Sequence, residues 1–109
     1  MFRFPLFADN HVRQQLVDGL VLRGWDIQRA IDVFPEKTPD LVLFHYAAEH
    51  GRVFATNDEP LRLLADQWLT DGKSFKGLVI WKLRLHERLR EGWFIEKFEA
   101  AQWPRLRLI

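Results

Sequence analysis

Two rhythms alternate along the chain: short, nearly continuous apolar runs, and longer stretches with apolar positions at helical spacing. Phe2 to Ala8 is a Phe-rich apolar run that predicts a buried strand, with Pro5 as the one residue at odds with it. Asp9 and Asn10 then read as caps for a helix whose Val12, Leu16 and Leu20, flanked by Val17 and Val21, share one apolar face ending at Gly24. Trp25 to Ala30 predicts a second strand, and Asp32 to Pro39 a loop. Thr38-Pro39-Asp40 has the order of a helix start, namely cap, first-turn proline and acid; Leu41 to His50 continues the helix and Gly51 stops it. Arg52 to Thr56 predicts a third strand. Asn57-Asp58-Glu59-Pro60 opens a third helix with Leu61, Leu64, Ala65 and Trp68 at positions i, i+3, i+4 and i+7, closed by Gly72. Gly77 to Trp81 predicts a fourth strand. A last helix around residues 84–101 carries Phe94, Ile95, Phe98 and Ala101 on one side; Pro104 breaks it, and Leu106 to Ile109 predicts a terminal edge strand.

Strands that alternate with helix-length crossovers predict an α/β domain of three layers with a mostly parallel central sheet. Continuous apolar runs are what strands covered on both faces require. No repeat, low-complexity stretch or linker interrupts the 109 residues, so one domain spanning 1–109 is expected.

Composition adds exclusions. The 48% apolar and 28% charged content is that of a globular chain rather than a disordered one. There is no cysteine, which removes disulfides, thiolate metal sites and a cysteine nucleophile and predicts a reducing, cytoplasmic setting. The N-terminal segment lacks the apolar core of a signal peptide, and no run approaches membrane-spanning length, so a soluble protein without membrane partners is expected. The net charge of +1 is uneven. Residues 1–72 hold 7 Lys/Arg against 11 Asp/Glu, a balance of −4, and residues 73–109 hold 9 against 4, a balance of +5. An acidic body can hold a cation, and a basic C-terminal third can attract a phosphate backbone. A solvated basic helix face explains the same charges.

The placement of the acids is more informative. Asp9 follows the first strand, Asp58 follows the third, and Asp40 lies in the first turn of the second helix. In parallel sheets the carboxyl ends of strands and the N-termini of the following helices share one edge, where ligands bind. Three carboxylates at that edge suit Mg²⁺ or Mn²⁺, ions that neutralise charge on a transferring phosphoryl group and lower the pKa of bound water. Taken singly, each acid is equally well a helix cap or a first-turn acid.

The segments LFADNHV, LVLRGWDI, TPDLVLFHYAAEHGRVFATNDEPL and SFKGLVIW occur in this order over residues 3–81. In these segments the chain resembles the short bacterial PIN-like proteins, relatives of PIN-domain nucleases such as the VapC toxins. The resemblance implies a PIN-like α/β fold whose acidic centre binds Mg²⁺ or Mn²⁺ and hydrolyses RNA phosphodiesters. It assigns catalytic and metal-binding roles to Asp9, Asp40 and Asp58. Asp58 matches the first acid of the family's Thr-x-Asp-x-Asp-Phe motif, which here reads Thr56-Asn57-Asp58-Glu59-Pro60-Leu61. Pro60 stands where the second acid belongs, and Glu59 is the neighbouring candidate ligand. Asn10 stands where many members carry Glu, and His11 where they carry Asn or His.

Around these acids, His11 is either a phosphate donor or a surface or capping residue, and Thr56 and Asn57 either orient Asp58 and water or form the turn. Lys76, Lys82, Arg84, Arg88, Arg90, Arg105 and Arg107 are candidate phosphate contacts, and Trp81, Trp93 and Trp103 are candidate base-stacking or packing residues. His45, His50 and His86 have no ligand spacing. The leading reading is a metal-dependent ribonuclease acting on RNA, the toxin component of a pair with an antitoxin protein. The alternative is a catalytically weak PIN-like module that binds RNA or a partner protein, and a third reading is a homodimer built on the Trp- and Phe-rich C-terminal segment.

Overall fold

The computed structural model of the chain describes residues 3–58, 60–81, 90–100 and 105–108. Five strands form one sheet: β1 (Leu6–Ala8), β2 (Ile27–Arg29), β3 (Val53–Thr56), β4 (Leu78–Trp81) and β5 (Arg105–Leu108). Their order is β2-β1-β3-β4-β5 and every pair is parallel. Among the described residues four helices, α1 (Gln14–Leu22), α2 (Asp40–Glu49), α3 (Leu61–Thr70) and α4 (Glu91–Ala100), flank the sheet. The α/β three-layer architecture read from the sequence is the one observed. Among the described residues, no helix is long and apolar enough to cross a membrane.

Alternation of side chains along the strands divides the core in two. Leu6, Ala8, Val53, Ala55, Val79 and Trp81 face the layer built by Leu16, Val17 and Leu20 of α1 and Phe94, Ile95 and Phe98 of α4. Phe7, Phe54, Leu78 and Ile80 face Leu43, Phe44 and Ala47 of α2 and Leu61, Ala65 and Trp68 of α3. Fully burying one such large apolar side chain stabilises the fold by about 1.5–3 kcal/mol, so the many buried residues in these two half-cores hold the layers together. Between α1 and α4 the layer is tight: a Cβ added at Gly19 would stand 2.5 Å from Ile95 Cδ1.

Strand β2 departs from the apolar rule. It reads Ile27-Gln28-Arg29 and is only half-buried, because it lies at the sheet edge with a single partner. Its Gln28 Oε1 accepts a hydrogen bond from Tyr46 Oη at 3.0 Å, so the edge strand ties to α2 through a polar contact. A short 3₁₀ turn, Ala30–Asp32, follows it directly, where the sequence predicts a strand through Ala30.

The caps also differ from expectation. Helix α1 begins at Gln14, with Arg13 at its N-cap, so Asp9 and Asn10 lie in a preceding turn closed by Val12 N–H on the Asp9 carbonyl at 3.1 Å. Helix α2 follows Pro39, and Thr38 Oγ1 donates to the Pro35 carbonyl at 2.6 Å instead of capping. Helix α3 follows Pro60, and Asp58 contributes its carbonyl, not its carboxylate, to Leu61 N–H at 3.0 Å. Neither Asp9 nor Asp58 therefore caps a helix through its carboxylate.

Candidate functional site

From β1 the chain runs outward to β2 with α1 on one face; through α2, on the other face, it returns to β3 on the far side of β1. The loops leaving β1 and β3 therefore part, opening a crevice at the carboxyl edge, the usual ligand position in such sheets. Asp9 is the first residue beyond β1, and Thr56-Asn57-Asp58 lead out of β3.

Strand pairing fixes Asp9. Ala8 is in register with Ala55, and Asp9 N–H donates to the Ala55 carbonyl at 3.0 Å, extending the ladder by one residue. Alternation then brings Asp9 beside Thr56 on the face that α2 covers. Thr56 Oγ1 donates to Asp9 Oδ2 at 2.7 Å and accepts from Asp58 N–H at 3.0 Å. Thr56 is completely buried and Asp9 is 4% exposed, so this hydroxyl is a principal partner of a desolvated carboxylate. Asn57, also buried, donates from Nδ2 to the His11 carbonyl at 3.1 Å and so joins the two loops across the crevice.

Helix α2 docks on the same face through Leu43 and Phe44, which delivers Asp40 of its first turn to the crevice. Asp40 and Asp58 share a side-chain hydrogen bond, and the Asp40 pKa is pushed up from 3.8 to about 7. That hydrogen bond is the leading cause, followed by burial and by the charges of Asp9 and Asp58; His11 acts in the opposite sense. Asp40 therefore keeps its proton to a higher pH than an ordinary carboxyl does. Asp40 thus lies against Asp58 and within reach of the Asp9 charge. Among the described residues, however, no group of three or more His, Cys, Asp or Glu side chains is arranged to hold a metal ion.

The adjoining cleft, about 340 Å³, is lined by Asp9, Asn10 and His11 on one side and Glu36, Lys37 and Asp40 on the other. Glu36 and Lys37 were not singled out by the sequence, where their signal was a charged pair between Pro35 and Pro39. Of the two roles weighed for Thr56 and Asn57, Thr56 takes the turn, accepting from the Asp58 backbone N–H two residues on, while its hydroxyl proton goes to Asp9 and Asn57 bonds the His11 carbonyl.

Other candidates fall elsewhere. Glu59, Lys82, Arg84, His86, Arg88 and Trp103 lie outside the described residues. Lys76 precedes β4, at the amino edge of the sheet, opposite the crevice. Arg90 is exposed, precedes α4 and does not line the cleft. Trp81 is 1% exposed and packs on Phe94 and Phe98, which leaves no face for a base. Trp93 packs against the core and Phe94, with Lys97 Nζ 5.4 Å from its ring centroid. His45 pairs with Glu49 at 2.7 Å and His50 stacks on Tyr46, both away from the cleft. Comparison of the chain with protein-family models, with curated proteins and with solved structures gave no match.

Proposed function

We propose that this protein is a PIN-like, metal-dependent ribonuclease in which Asp9, Asp40 and Asp58 would hold Mg²⁺ or Mn²⁺. The observation that supports the reading is that Asp40, opening α2, bonds to Asp58 after β3 and feels the charge of Asp9 after β1, at the edge where the loops leaving these strands part. Their donors are hard oxygens, as these ions prefer. The fit is also electrostatic: the hydrogen bond to Asp58 and burial lead Asp40 to keep a proton, the charges of Asp9 and Asp58 add to this, and a divalent cation would relieve that repulsion. When bound, the ion supplies a Lewis acid for the phosphoryl oxygens and lowers the pKa of water.

The chain's own residues set the rest. Thr56 holds Asp9 in place and, through Asp58 N–H, fixes the start of the β3 loop. Asn57 keeps the β1 and β3 loops in register. An ionised Asp40 is the form competent to bind, so its proton must leave first. RNA as substrate, a cytoplasmic setting and an antitoxin protein as partner accompany this reading, on the strength of the resemblance in residues 3–81.

The test is cleavage of a fluorophore–quencher single-stranded RNA in Mn²⁺, wild type against Asp9→Asn, with folding checked by circular dichroism. Wild type cuts, and the variant loses at least about a hundredfold in rate, a loss near 3 kcal/mol of transition-state stabilisation. Equal rates overturn the assignment.

A second reading is favoured by Pro60, which enters α3 with a helical backbone and offers no donor where a further acid would stand. On that reading the module binds RNA without cutting it. Calorimetry showing RNA affinity with no Mn²⁺ binding would select it.

A further inference from the structure

The cleft beside the acids contains one lysine, and its backbone is unusual. Lys37 has φ 69°, the one non-glycine residue with positive φ among those described. It occupies the third position of a turn, Pro35 to Thr38, closed by Thr38 N–H on the Pro35 carbonyl at 3.3 Å and reinforced by Thr38 Oγ1 at 2.6 Å. That position of a turn favours glycine or asparagine, because a Cβ is crowded there. Lysine is a poor choice for the backbone.

Charge supplies the second observation. Among the described residues lining the cleft, Lys37 is the only Lys or Arg, and it stands among Asp9, Glu36 and Asp40. Despite these neighbours it forms no ion pair among the described residues; the five pairs present use Arg3, Arg13, Arg23, His45 and Arg52. Lys37 is an exposed residue, so it is accessible to an incoming anion. A phosphodiester that approaches three carboxylates is repelled, and a lysine at the rim is the compact point charge that opposes this repulsion.

We infer that Lys37 grips a phosphate of the RNA strand at the rim of the cleft and sets which part of the strand lies over Asp9, Asp40 and Asp58. This rests on the nuclease reading of the cleft. One consequence separates it from a structural role: the turn should tolerate loss of the lysine better than it tolerates the lysine.

The test is fluorescence anisotropy of a fluorescein-labelled single-stranded RNA in EDTA over 50–300 mM KCl, with wild type, Lys37→Gln, Lys37→Arg and Lys37→Gly, where the concentrations are about those at which counterion release is resolved. Lys37→Gln and Lys37→Gly should each weaken binding about tenfold at low salt and flatten the slope of log K against log salt by about 0.7, the value for one phosphate contact on a single strand. Lys37→Arg should keep the slope, and Lys37→Gly should melt no lower than wild type. Wild-type affinity and slope in Lys37→Gln or Lys37→Gly overturn the inference, as does a wild type that binds no RNA. If wild type binds through Lys37 but cuts nothing in Mn²⁺, the nuclease reading fails and the contact stands. If it cuts but Lys37→Gln binds unchanged, the contact fails and the nuclease stands.

Discussion

Replacing Thr56 by valine removes one oxygen from the centre of the site and leaves its volume nearly unchanged. Two hydrogen bonds disappear: the 2.7 Å donation to Asp9 and the 3.0 Å acceptance from Asp58 N–H. A hydrogen bond to a carboxylate contributes roughly 1.5–3 kcal/mol, and one to a backbone N–H roughly 0.5–1.5 kcal/mol. Because Asp9 is buried, water cannot freely replace the lost donor, which places Thr56→Val at about 2–4 kcal/mol of destabilisation. For a domain of this size that corresponds to a fall in Tm of about 8–16 °C. Serine keeps the hydroxyl and loses only a methyl group, so Thr56→Ser should cost about 1 kcal/mol. Thermal melts followed by circular dichroism measure both. If Thr56→Val melts within about 2 °C of Thr56→Ser, the hydroxyl is not holding Asp9 and the site has been misdescribed.

Three further outcomes are expected. Asp40 has a folded pKa of about 7 and an unfolded value near 3.8; between the two, the folded protein keeps a proton that the unfolded chain releases, so stability falls as pH rises through this window. Solvent access limits the fall to roughly 1–2 kcal/mol, and urea titrations at pH 5 and 7.5 should show it in wild type and not in Asp40→Asn. Mn²⁺ must displace that proton, so the rise in Tm that it produces, followed by dye fluorescence, should be larger at pH 8 than at pH 5.5; an equal rise at both argues against Asp40 as a ligand. Gly19→Val should destabilise by about 1–3 kcal/mol in urea titration, since the added atoms meet Ile95 across the α1–α4 contact.

The layers and the parallel sheet were legible because apolar runs and helical spacing report burial directly, as in Val53–Thr56 and Leu78–Trp81. Edge strand β2 was legible in place but not in character: Gln28 and Arg29 tolerate one exposed side, and continuous apolarity does not apply there. The caps were misread for a physical reason. Asp9 and Asp58 are residue types that serve equally at a helix start and in an anionic site, and short-range pattern cannot separate the two. What decides is strand register, which sets Asp9 against Thr56 across 47 positions of sequence. The Asp40–Asp58 contact is likewise a product of how α2 docks on Phe7 and Phe54. Lys37 showed in the sequence only as half of a charged pair between Pro35 and Pro39, and its positive φ is not legible from residue pattern.

All of this converges on one crevice, and a crystal soaked in Mn²⁺ examines it directly. An anomalous peak between Asp9, Asp40 and Asp58, with the Asp40–Asp58 hydrogen bond opened to admit the ion, is the expected result. No peak at saturating Mn²⁺ above pH 7.5, or a peak that leaves this pair still bonded to each other, contradicts the assignment of a metal-dependent nuclease.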